Sequence, residues 1–179
     1  MARDRRIQIT RSPLNEEILC STDSMISTAN GVHYFSLQFI LTTLKLSLTS
    51  LPRIGLKVHL YVAEIDGLTQ DYISEATFHR MMMCSKTPSA REYRGWVSHH
   101  VIPAFCNHNG YILAGRKVEE VQCGPTRSRD MYIPPFKAED FDKLLTNEAM
   151  WPGAEDIRNW IYGEVLPAIR VSGGYRLAA

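Results

Sequence analysis

Four side chains in one short stretch could do chemistry. His99, His100, Cys106 and His108 stand in the pattern His-His-x5-Cys-x-His. Imidazole and thiolate groups bind zinc, and a Cys beside a His can also form a nucleophile–base pair. Structural zinc frames need paired ligands at short, defined gaps, and this spacing matches none of them. No oxyanion motif accompanies the Cys and His residues. The chain also lacks a GxxxxGK(S/T) phosphate loop, a GxGxxG turn, a GxSxG elbow and an HExxH pair. Carboxylates such as Glu119, Glu120 and Asp140 lie in polar surroundings and read as a solvated face. No catalytic residue, metal site or cofactor is expected, and the chain reads as a non-enzyme.

Cations offer a second kind of chemistry. Phosphate contact needs only Lys, Arg and backbone donors. Arg5, Arg6, Arg116, Lys117, Arg127 and Arg129 are therefore candidate nucleic-acid contacts, with ordinary solubilising charge as the alternative. The formal net charge is only +1, so nothing global demands a nucleic-acid partner. Met81, Met82 and Met83 read as adaptable core, or, if partly exposed, as a protein-binding surface.

The surrounding composition is that of a globular protein: 45% hydrophobic and 22% charged over 179 residues. That length suits one domain or a domain with an appendage. The cysteines Cys20, Cys84, Cys106 and Cys123 form no CxxC pair, which fits reduced thiols in a cytosol. The opening MARDRRIQITRS is polar where a signal peptide would be apolar. The most apolar run, Tyr34 to Leu51, is interrupted by Ser, Gln, Thr and Lys and is too polar to span a bilayer.

The elements that must position these residues come as a repeat. AREYRGWVSHHVIPAFCNHNGYILAG (90–115) and AEDIRNWIYGEVLPAIRVSGGYRLAA (154–179) align without gaps at an offset of 64, with 10 of 26 positions identical. The frame carries Trp96, Pro103, Gly110 and Tyr111 in the first copy, and Trp160, Pro167, Gly174 and Tyr175 in the second. Trp on an amphipathic helix reads as a core anchor. Pro kinks or ends that helix, Gly allows a positive φ, and Tyr packs its ring. These eight residues are expected to be structural anchors.

Elsewhere the pattern predicts an α+β fold, a small antiparallel sheet with packed helices followed by the extra helical half-repeat. Ile7, Ile9 and Thr10 are strand-like, and Asn30-Gly31 turns the chain between two strands. Ser36 caps a helix from Leu37 to about Ser47, and Leu56 to Ile65 alternates as a strand. Ser74 starts another helix. Ser89 begins the next, with Glu92 completing a capping box. Residues 116–136 read as a linker or extended arm. The expected domains are 1–115, that linker, and 137–179 packed on the first domain or on a sister chain.

The stretch Tyr72–Tyr111 carries a wording that resembles the closing half of the BRO N-terminal domain, found in phage antirepressors and baculovirus repeated-ORF proteins. Ile73, Ser74, Glu75, Ala76, Phe78, Ser85, Lys86, Pro88, Ala90, Trp96, Val97, Pro103, Gly110 and Tyr111 are similar to that pattern. The first copy departs from it where His100-Val101-Ile102-Pro103 replaces the usual EVLP, and the second copy restores that wording. Gly31 to Leu37 is similar to an upstream segment of the family, without the Asp expected on its helix. The resemblance implies a regulatory protein that binds a repressor in a bacterial host cytoplasm, or a DNA-binding protein of the BRO type. It carries no implied cofactor. On this reading His99, His100, Arg170 and Arg176 are the candidate partner contacts. Separately, a Pro-rich arm over 124–136 that could reach a neighbouring chain leads to the expectation of a homo-oligomer.

Overall fold

The computed structural model describes residues 9–10, 25–27, 33–50, 60–65, 68–124, 138–146 and 152–178. The fold is α+β with packed helices, and the described strands form two four-stranded sheets. Two compact units result: one is Leu14–Tyr93, the other is Met1–Pro13 together with Arg94–Ala179. This division differs from the expected one. The two copies of the repeat share a single unit, because their Gly-Tyr strands pair with each other.

In unit 14–93 the sheet runs β2 (Met25–Ser27), β3 (His33–Ser36), β5 (Leu68–Ser74) and β4 (Leu60–Ile65), antiparallel throughout. The turn at Asn30-Gly31 lies outside the described residues, but the strands it was expected to join do pair, with Met25 opposite Phe35. Helix α1 (Leu37–Leu44) starts where expected, as the Ser36 hydroxyl accepts from the Phe39 N–H at 3.4 Å. It buries Leu37, Ile40, Leu41 and Leu44, the helical spacing seen in the sequence. Lys45 ends it early in a left-handed conformation, at φ 51°. The Ser85 hydroxyl donates to the last-turn carbonyl of Leu44 at 3.1 Å, meeting one of the needs of a helix end.

Helix α2 (Glu75–Cys84) is capped by Ser74, and Met81, Met82 and Met83 are all buried in the core. Phe35 of the sheet stacks on Phe78 of α2 with ring centroids 4.8 Å apart. Helix α3 (Pro88–Trp96) begins one residue before the expected Ser89, and Thr87 caps it by accepting from the Ala90 N–H at 3.4 Å. Pro88 decides this: its fixed φ and missing N–H suit the first helical position.

In the other unit the repeat appears element by element. α3 is followed by a five-residue π-helical segment, π1 (Val97–Val101), then α4 (Ile102–His108) and β6 (Gly110–Leu113). The second copy has α6 (Ala154–Trp160), π2 (Ile161–Val165), α7 (Leu166–Ser172) and β8 (Gly174–Leu177). Pro103 was expected to kink or end its helix, yet the chain stays helical through it. A proline clashes with the carbonyl four residues back and offers it no hydrogen bond. The π turn widens the spiral just ahead, with Ile102 N–H bonding Val97 and Leu166 N–H bonding Ile161.

The sheet here runs β1 (Ile9–Thr10), β6, β8 and β7 (Gln122–Gly124). Strands β6 and β8 pair antiparallel in a reciprocal register: Gly110 faces Arg176, Tyr111 faces Tyr175, and Ile112 faces Gly174. Exchanging the copies maps this register onto itself, so a local twofold passes between Tyr111 and Tyr175. The outer strands obey it too. Ile9 pairs with Ile112 and Cys123 with Arg176, both in parallel, and these partners are themselves equivalent. Each copy is therefore strand–helices–strand, with residues 11–87 intervening between β1 and α3 of the first. Strand β7 lies within the expected linker, which is a correction; residues 125–136 of that linker lie outside the described residues.

Helix α5 (Ala138–Leu145) buries Phe141, Leu144 and Leu145. Its terminal carbonyls are met by the second copy: Arg158 donates to Leu144 O at 3.2 Å and Tyr162 to Leu145 O at 2.8 Å. Arg158 also holds Glu155 at 2.8 Å, and Arg94, its equivalent, lies 3.6 Å from Asp142.

Candidate functional site

Of the eight frame residues, Trp96, Tyr111, Trp160, Tyr175 and the two glycines are buried, while Pro103 and Pro167 are half-buried. Trp96 Nε1 donates to the Tyr111 hydroxyl at 2.9 Å, the rings meeting edge-on at 5.6 Å. Trp160 and Tyr175 repeat that geometry, edge-on at 6.1 Å and hydrogen-bonded. Phe105 of the first copy lies 5.1 Å from Trp160 and 5.8 Å from Tyr175, locking one copy into the other.

The glycines serve a different purpose from the one expected. Positive φ falls one residue earlier, at Asn109 (56°) and Gly173 (80°), which close the two helices. Gly110 and Gly174 are strand residues pressed against the opposite strand. A Cβ on Gly110 would lie 3.0 Å from Tyr175 O, and one on Gly174 would lie 2.8 Å from Tyr111 O. Leu113 N–H bonds Gly173 O at 2.7 Å, while Leu177 N–H bonds Asn109 O at 2.8 Å, again a reciprocal pair.

The candidate contact residues are scattered over this scaffold. His99 is exposed on π1, with Nδ1 2.8 Å from Gly95 O and 2.9 Å from the Ser98 hydroxyl. His100 is half-buried beside it. Arg170 is half-buried on α7, and Arg176 is half-buried on β8. Their equivalents in the other copy are Gly163, Glu164, Cys106 and Ile112, so the four do not mark one repeated site. His100 Nδ1, His108 Nδ1 and Arg176 Nε are buried atoms with no hydrogen-bond partner among the described residues.

Arg116 and Lys117 are exposed, while Arg5, Arg6, Arg127 and Arg129 lie outside the described residues. Arg116 lays its side chain across Gly173. Among the described residues no group of three or more His, Cys, Asp or Glu could hold a metal ion. No described helix is long and apolar enough to cross a membrane.

Two polar clusters escaped the sequence reading. In the second copy the Tyr175 hydroxyl accepts from Trp160 and donates to Glu164 Oε2 at 3.1 Å. Burial, and then the negative charge of Glu164, hold the Tyr175 phenol above its ordinary value. In unit 14–93, His79 is fully buried, 3.4 Å from Glu75 Oε1 and 3.0 Å from the Tyr93 hydroxyl. The Glu75/His79 spacing of four on a helix was the available signal. The His79 cluster is enclosed by core side chains, whereas the Tyr175 cluster opens to the exposed Glu164; both read as polar ties within the packing.

Comparison with protein-family models, with curated proteins and with solved structures gave no match.

Proposed function

We propose that this chain is a non-enzymatic regulatory protein of the phage antirepressor type, which binds a repressor and keeps it from its operator. The observation that carries the reading is the doubled Trp–Pro–Gly-Tyr frame. Its wording is similar to the BRO N-terminal domain, and its residues do the same interior work in both copies. Around that common scaffold the exposed residues differ, which suits recognition of a protein partner by a few side chains. His99, His100, Arg170 and Arg176 are the proposed contacts, and the bacterial cytoplasm is the proposed setting.

The test is co-purification with the repressor encoded in the same genome, followed by size-exclusion chromatography at moderate salt. A stable hetero-complex is expected, weakened at least tenfold by alanine at the contact residues. Absence of any complex overturns the reading. The elution volume of the chain alone checks the proposed homo-oligomer.

A second reading, DNA binding, is favoured by Arg116 and Lys117, which are exposed and have no ion pair among the described residues. Gel shifts with duplex DNA would then weaken steeply as salt rises, and less steeply once these cations are neutralised.

A further inference from the structure

Strand β3 leaves its sheet early. It pairs with β5 only from Tyr34–Ser74 to Ser36–Tyr72, because Ser36 is both its last residue and the cap of α1. On the other side of β5, strand β4 keeps pairing as far as Ile65–Leu68. Thr69, Gln70 and Asp71 therefore have a neighbouring strand on one side and, among the described residues, none on the other. A groove of about 560 Å³ lies along that side, walled by these three residues and by the first turns of α1.

Unpaired strand backbone facing a groove is a template for one more strand. At about 3.3 Å per residue, three residues give a lane of about 10 Å, enough for a short extended segment. The chemistry of the lining then selects the occupant. Among the described residues lining the groove, Asp71 is the sole ionisable one. It is exposed and forms no ion pair among the described residues. Gln38 and Thr69 offer neutral hydrogen bonds, and Leu48, 58% exposed, offers an apolar contact.

The geometry points to this groove as the docking lane for an extended segment of a partner protein, laid beside β5 with a Lys or Arg side chain against Asp71. Backbone hydrogen bonds supply the affinity, and the carboxylate supplies the choice of sequence. The inference stands apart from the regulatory reading, since a synthetic strand needs no repressor and repressor capture needs no strand.

The test uses the full chain and the fluorescein-labelled peptide acetyl-Thr-Val-Arg-Val-Thr-amide, followed by fluorescence anisotropy. Three controls accompany it: a Glu-for-Arg peptide, a peptide N-methylated on alternate amides, and the protein variant Asp71→Lys. Saturable binding of the Arg peptide is expected. The Glu peptide should bind more weakly by up to about fivefold, the upper end of the range for an exposed ion pair. N-methylation should cost about tenfold or more, as paired backbone bonds are lost. Asp71→Lys should invert the Arg-over-Glu preference, and Asp71 is exposed, so the fold tolerates it. No binding, indifference to N-methylation, or an unchanged preference in Asp71→Lys each overturns the proposal. Displacement of the peptide as protein concentration rises assigns the lane to a second copy and overturns the choice of occupant.

Discussion

The two copies of the frame agree inside and disagree outside. Of the ten positions at which they are identical, only Ala114 is exposed in its copy. Exposed positions differ in kind: Arg91 against Glu155, His99 against Gly163, and Asn107 against Val171. Packing needs thus account for the repetition, and the outer faces are free to differ. The twofold is a property of the core and the sheet. A partner meeting the surface would see no symmetry.

The comparison can be broken first at its anchors. Trp160→Ala should cost about 3–5 kcal/mol and Trp96→Ala a similar amount, measured by urea denaturation. Because Phe105 of the first copy leans on Trp160, both copies should unfold in one transition. Two separate transitions would show that the copies are independent bodies.

Next come the strand glycines. Gly174→Ala should cost about 1–3 kcal/mol, and more than Gly110→Ala, since its added methyl meets a carbonyl oxygen at 2.8 Å rather than 3.0 Å. Equal or negligible costs would undo the close-approach argument.

Tyr175→Phe should cost about 1–3 kcal/mol, because the buried Trp160 N–H loses its acceptor. The same variant tests the raised phenol. In the unfolded chain the phenol ionises near pH 10, while in the fold it stays neutral to higher pH. The folded protein holds its proton longer, so this contribution is complete below about pH 10 and fades as pH rises through the raised value. Alkaline denaturation should therefore be shallower in Tyr175→Phe than in the parent. An unchanged alkaline limb would contradict the assignment.

The smallest effect sharpens the outer contrast. Gly163 is exposed in π2, and a Cβ there meets nothing within 4 Å. Gly163→Ala should stabilise by about 0.5–1 kcal/mol in thermal melts, since glycine is a poor helix residue.

Much of this was legible in the residues. The helical spacing of Leu37, Ile40, Leu41 and Leu44, the Ser36 and Ser74 caps, and the interior place of the Trp and Tyr anchors all follow from local physics. Strand β7 was hidden because three residues are too few to show a period, and Gly124-Pro125 suggested a loop. Its kinship with β1 was hidden by the intervening residues 11–87, which spoil the constant offset. The π segments were hidden because a proline reads as a stop unless the preceding turn is known to widen. Val62, in the alternating run Leu56 to Ile65, is 58% exposed, since alternation marks faces without saying whether either is covered. The groove beside Asp71 arises from where β3 stops, a tertiary fact with no sequence pattern of its own.

Strand β8 has one further consequence, and it lies in time. It sits between β6 and β7, so neither can join the other until residues 174–177 have been made. During synthesis, the first copy must wait through 60 or so residues with one strand edge bare (about the span from β6 to β8). At several residues per second that is an interval of seconds, long enough for a bare edge to meet another nascent chain. A late central strand thus makes the ribosome's pace, as well as the finished packing, part of what the chain must survive.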